Sequence, residues 1–220
     1  MSAADLSRMN PAQQQAVRYL DGPSLVLAGA GSGKTRVITS KIAYLVGQCG
    51  YEPRHIYAVT FTNKAATEMR ERLTKMLGAE RVSELSISTF HALGVRMLRQ
   101  EARAAGLKPG FSIMDAQDGF GLIQSLVATT DKGRLKAIAQ QISLWKNALI
   151  NPDAASALAQ NAQQVDAARV YHSYQATLRA YQAVDFDDLI LLPCQLLAEH
   201  AEIREKWQNH VRYLLIDESY

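Results

Sequence analysis

The chain has 220 residues, of which 48% are apolar and 20% charged, with a formal net charge of +3. That is enough apolar material for one large core or two small ones, yet the longest apolar runs, such as Leu189-Ile190-Leu191-Leu192, are far too short to span a bilayer. The first residues lack a signal-peptide profile, and the distant Cys49 and Cys194, with five histidines at no ligand spacing, argue against a disulfide framework or a zinc site, so a cytoplasmic protein is expected.

In chain order, apolar spacing predicts helices over 11–20, 34–46, 64–77 and 91–105, alternating with strands over 24–28, 56–61 and 85–89. Asn10 caps the first helix with Pro11 behind it, and Gly78 and Gly106 stand where helices close. Such alternation indicates an α/β fold with a parallel sheet. From Lys108 to Val184 the strand signals stop, while Leu135-Ile138-Ile142-Trp145 and Val170-Tyr174-Leu178-Tyr181 recur at helical spacing. An all-helical subdomain over 108–184 is therefore expected, inserted into a discontinuous domain of residues 1–107 and 185–220. Within the second part a helix runs to about Asn209, and Tyr213-Leu214-Leu215-Ile216 reads as a buried strand returning to the sheet.

Ala28-Gly29-Ala30-Gly31-Ser32-Gly33-Lys34-Thr35 lies between the first predicted strand and the second helix. A glycine-rich turn there aims backbone N–H groups and a helix dipole at one point, the design of a phosphate-binding loop. Lys34 would reach the β/γ-phosphates and the Thr35 hydroxyl would hold Mg²⁺. The strict pattern has Gly where Ala28 stands. Such a loop needs an acidic partner after another apolar strand, and Asp217-Glu218 supplies it, Asp217 for the metal and Glu218 for the attacking water. Strands ending in Phe61-Thr62-Asn63 and Thr89-Phe90-His91 offer perches for a nucleic-acid backbone and a stacked base, although Phe61 also reads as core and Asn63 as a helix cap. Lys132, Arg134 and Lys136 read as a solvated helix face rather than a phosphate grip. Asp185, Asp187 and Asp188 open a helix, where their charge offsets the dipole, and are read as structural.

These motifs, with Met9-Asn10-Pro11-Ala12-Gln13, Thr60-Phe61-Thr62-Asn63-Lys64-Ala65-Ala66, Asp185-Phe186-Asp187-Asp188-Leu189-Ile190 and Leu215-Ile216-Asp217-Glu218, occur in an order that resembles the superfamily-one DNA helicases of the UvrD/Rep/PcrA type. That family accepts Ala at the position of Ala28. The resemblance implies a RecA-like P-loop NTPase domain that uses ATP and Mg²⁺ to drive 3′-to-5′ translocation on single-stranded DNA and unwinding at duplex junctions, in replication or repair. It implies that Gln13 reads the adenine edge and Arg36 packs near the adenine. Locally, Gln13 equally completes a capping box with Asn10, and Arg36 equally reads as a solvated first-turn residue. Nucleotide would be held by Gln13, Ala28, Gly29, Ala30, Gly31, Ser32, Gly33, Lys34, Thr35 and Arg36, with Lys34, Asp217 and Glu218 catalytic and Thr35 and Asp217 on the metal. Phe61, Thr62, Asn63, Thr89 and His91 would line the DNA path.

In that family the acidic motif continues into a second motor lobe, whose arginines neutralise charge during hydrolysis. Ser219 departs from the aromatic residue expected there. The 220-residue chain is accordingly expected to bind nucleotide with turnover near background and to present an incomplete sheet, open to association through its edge. The alternative is a non-catalytic module for nucleotide or single-stranded DNA. A small kinase or GTPase would need a phosphoacceptor site or guanine-reading motif that the sequence lacks.

Overall fold

A computed structural model describes residues 6–29 and 31–217. In chain order the helices and strands begin with α1 (Pro11–Arg18), α2 (Lys34–Gly47), β1 (Ile56–Thr60), α3 (Asn63–Leu77), α4 (Ala79–Glu84), β2 (Ser86–Thr89) and α5 (Phe90–Gln100). Then come β3 (Ser112–Ile113), α6 (Ala116–Val127), α7 (Lys132–Asn147), α8 (Pro152–Leu158), α9 (Ala162–Tyr181) and β4 (Ala183–Val184). The last are α10 (Asp188–Glu199), α11 (Ala201–His210) and β5 (Tyr213–Asp217). Contacts divide the chain into two compact units, one reaching Leu93 and resuming at Glu205, the other running from Gly94 to Arg204. Among the described residues no helix is long and apolar enough to cross a membrane.

The first unit is built on a parallel sheet in the order β2-β1-β5. All five residues of β1 are buried, as its run Ile-Tyr-Ala-Val-Thr demands of a central strand covered on both faces. On one face Ile56 and Ala58 of β1, Ile87 of β2 and Leu215 of β5 pack with Ile42 and Leu45 of α2 and Met69 and Leu73 of α3. The register places Thr60 opposite both Thr89 and Asp217, so the three strands end level with one another.

The predicted strand over 24–28 does not form. Residues 23–29 join no ladder, and Leu25 and Leu27 are 84% and 87% exposed. The apolar run has strand character, but a strand needs a neighbour for its N–H and C=O groups, and among the described residues β5 pairs only with β1. Leu214 and Ile216 of β5 are likewise exposed on the face opposite Leu215. Short α4 was absent from the expectation, and α1 stops at Arg18 because Tyr19 turns to extended backbone.

In the second unit α6, α7, α8 and α9 enclose Leu135, Ile138, Ile142, Trp145, Tyr171, Tyr174 and Leu178. Trp145 and Tyr171 stack with ring centroids 6.1 Å apart. The insertion is not all-helical, for β3 and β4 pair in parallel, Ser112 with Ala183 and Ile113 with Val184. Two residues per strand are too few for a period-2 pattern to register in sequence. Buried Lys146 of α7 donates to Asp185 Oδ2 at 2.7 Å and Asp188 Oδ1 at 2.8 Å, and Tyr174 donates its hydroxyl to Asp185 at 3.0 Å.

Candidate nucleotide and nucleic-acid site

The glycine-rich segment turns into α2 with backbone only glycine adopts freely, Gly31 at φ +73° and Gly33, the N-cap, at φ +90°. Ser32 closes the turn, its amide and hydroxyl donating to the Gly29 carbonyl at 3.2 and 2.6 Å. Lys34 folds over the loop, donating from Nζ to the carbonyls of Ala28 at 2.9 Å and Gly29 at 3.1 Å. Its ammonium thus lies at the mouth of the loop. Ala30 lies outside the described residues, and Arg36, one residue past Thr35 on α2, is exposed.

Thr35 meets the acidic strand end. Its Oγ1 donates to Asp217 Oδ2 at 3.3 Å across 182 positions of sequence, and Asp217 is 4% exposed. The loop and the carboxylate therefore face the same point. Glu218 lies outside the described residues.

Gln13 performs its local role and reaches the loop as well. Its amide N–H donates to Asn10 Oδ1 at 2.9 Å and its Oε1 accepts from the Asn10 amide at 3.1 Å, completing the capping box. From the other end of the side chain, Nε2 donates to the Ser32 carbonyl at 2.9 Å. A β-carbon on Gly33 would stand 3.3 Å from that nitrogen, so glycine permits the close approach.

The other strand ends gather beside this point in the same unit. Phe61, just past β1, is 57% exposed and leans on Phe90 at 5.5 Å between centroids. Thr62 is the N-cap of α3, accepting from the Ala65 amide at 3.1 Å, and Asn63, which the sequence also allowed as a cap, is the first helical residue. Buried Thr89 accepts from the Ala92 amide at 3.2 Å, and His91 is exposed in the first turn of α5. Phe61 is therefore not a core residue.

Lys41 carried no motif signal. It stands on the face of α2 defined by Val37 and Leu45, four residues to either side, and all three are buried. A lysine at a core-facing position of an amphipathic pattern is the feature by which sequence could have marked it.

Level ends of parallel strands, a glycine-rich loop opening a helix and a buried aspartate across from it make up an α/β domain of the helicase kind. The chain belongs to the UvrD/REP helicase N-terminal domain family, whose model matches residues 9–219. It is similar to the ATP-dependent DNA helicase Rep of Escherichia coli (strain K12), 51% identical over 96% of this chain and 32% of that protein. It is also similar to the ATP-dependent DNA helicase PcrA of Bacillus subtilis (strain 168), 41% identical over 97% of this chain and 29% of that protein. The chain spans about a third of the length of the curated relatives it matches.

Proposed function

We propose that the chain is the ATP-binding portion of an ATP-dependent 3′-to-5′ DNA helicase, holding Mg-ATP between the phosphate loop and Asp217 and single-stranded DNA along the strand ends. The single observation that carries this reading is the approach of Thr35 Oγ1 to Asp217 Oδ2 at 3.3 Å. A hydroxyl and a buried carboxylate side by side are hard oxygen donors of the kind Mg²⁺ prefers, so Thr35 and Asp217 suit that ion. When bound, Mg²⁺ neutralises charge on the β- and γ-phosphate oxygens.

The chain's own groups do the rest. Amides of the loop and the start of α2 receive the phosphates. Lys34 exchanges its two carbonyl partners for phosphate oxygens, a swap of neutral acceptors for anionic ones that favours the ligand-bound state. Gln13 offers its amide to the adenine edge, and Arg36 flanks the base. Glu218 orients the attacking water. Phe61, Thr62, Asn63, Thr89 and His91 take the DNA, with Phe61 supplying the stacking surface. The nucleotide domain comprises 1–107 and 185–220 and is interrupted by the insertion at 108–184.

Calorimetric titration of the 220-residue chain with Mg-ATP tests the reading. Lys34→Ala removes a charge-assisted partner of the phosphates and should weaken binding by roughly 10- to 100-fold, the equivalent of about 1.5–3 kcal/mol. Affinity equal to that of the unaltered chain would remove Lys34 and the loop from the nucleotide site.

A further inference from the structure

Helix α1 has eight residues and cannot hold its own orientation, because a helix that short is marginal without tertiary support. Its N-terminal half carries Gln13, which touches the phosphate loop through the Ser32 carbonyl. Its C-terminal end is fixed by α2. Lys41, 7% exposed, donates from Nζ to the carbonyls of Ala16 at 2.9 Å and Tyr19 at 2.6 Å. The Tyr213 hydroxyl, from β5, reaches the same Tyr19 carbonyl at 3.5 Å, and the Lys41 ammonium lies 5.5 Å from the centre of the Tyr213 ring.

Among the described residues no carboxylate pairs with Lys41. Burial lowers its pKa, with the nearby Cys49 acting in the opposite sense, so an ammonium here is costly to keep. Nonpolar packing would be cheaper than a desolvated charge unless the bonds it makes matter. Those bonds cap the carbonyl end of α1, the end that favours a cation, and together with the Tyr213 contacts they join three elements: α1 with Gln13, α2 with Lys34 and Thr35, and β5 with Asp217.

We propose that Lys41 is a positioning residue for the adenine end of the nucleotide site, holding α1 at the distance and angle from α2 that set the Gln13 amide against the phosphate loop. This rests on the assignment of Gln13 and the loop made above. Lys41 touches no nucleotide in this scheme. It acts through α1, so its loss should affect recognition of the base and leave the grip on phosphate intact.

The test compares two probes on the 220-residue chain, Mg-ATP and Mg-tripolyphosphate, the second lacking base and sugar. Lys41→Met should weaken Mg-ATP about tenfold while tripolyphosphate stays within about twofold, and Lys41→Arg should restore the ATP affinity. Gln13→Ala should reproduce the loss, and the double variant should lose no more than either single one, as expected of groups acting as a unit. If Lys41→Met fails to fold by circular dichroism, Lys41→Gln, which keeps a donor without the charge, carries the same comparison.

Mg-ATP affinity unchanged in Lys41→Met, with Gln13→Ala impaired, would overturn the role of Lys41 while sparing that of Gln13. Equal losses for both probes would reduce Lys41 to a general support of the loop. No loss in Gln13→Ala would remove the adenine assignment itself, and that of Lys41 with it.

Discussion

At Gly94 a β-carbon would stand 1.8 Å from the carbonyl oxygen of Leu189 and 2.9 Å from its carbon. The approach is between backbone and backbone, so no side chain can swing away to make room. Pro193, inside α10, has no amide to offer the Leu189 carbonyl four residues before it, and the bare face of Gly94 lies against that oxygen. Gly94→Ala must therefore displace α5 or α10, with an expected loss of roughly 3 kcal/mol or more in denaturant unfolding. Gly121→Ala is the control. It lies inside α6 with nothing within 4 Å of the new carbon, and should gain about 0.5–1 kcal/mol from reduced chain entropy. Destabilisation by both substitutions would refute the steric account.

Between elements, Lys146 holds α7 to the turn that opens α10. Its side chain is fully buried between Asp185 and Asp188, which also cap one another's amides, the Asp188 amide donating to Asp185 Oδ1 at 2.9 Å. Burial pushes the Asp188 carboxyl up from 3.8 to about 6, against the attraction of Lys146. A carboxyl whose folded pKa is raised contributes stability that is fully present below 3.8 and is lost as pH rises through about 6. Lys146→Met strands two carboxylates and should cost roughly 3–5 kcal/mol near neutrality. That cost should shrink as pH falls from the alkaline side toward about 6 and level off below it, because a protonated Asp188 needs no counter-charge and loss of Lys146 raises its pKa further. Thermal unfolding of both chains across this range checks it, and a penalty independent of pH would show that lost packing, not stranded charge, is the cause.

Across the whole molecule, the surface that collects the proposed chemistry is the level end of the β2-β1-β5 sheet. Phe61 projects there with more than half its surface open, so replacing it should leave the fold almost unchanged. If a base stacks on it, Phe61→Ala should lose about 1–3 kcal/mol of single-stranded DNA affinity at fixed salt. The slope of affinity against salt should stay the same, since no cation is removed. Unaltered affinity in a fluorescence titration would limit the DNA path to phosphate contacts.

Much of this was legible in the sequence for reasons that are local. The parallel α/β alternation, the Asn10-Gln13 capping box, the glycines at positive φ and the core spacing of α7 and α9 each depend on residues within one or two turns of each other. The separation of Thr35 from Asp217 by 182 positions was bridged by motif logic, because a loop read as phosphate-binding calls for an acid opposite it. Tertiary structure alone decided what depends on a neighbour. Leu25, Val26 and Leu27 have the composition of a strand yet lie unpaired and exposed, since hydrogen bonding in a sheet is a property of two segments. Lys41 and Gly94 owe their importance to carbonyls outside their own helices; periodicity can mark Lys41 as core-facing, but it cannot name the groups that either residue meets.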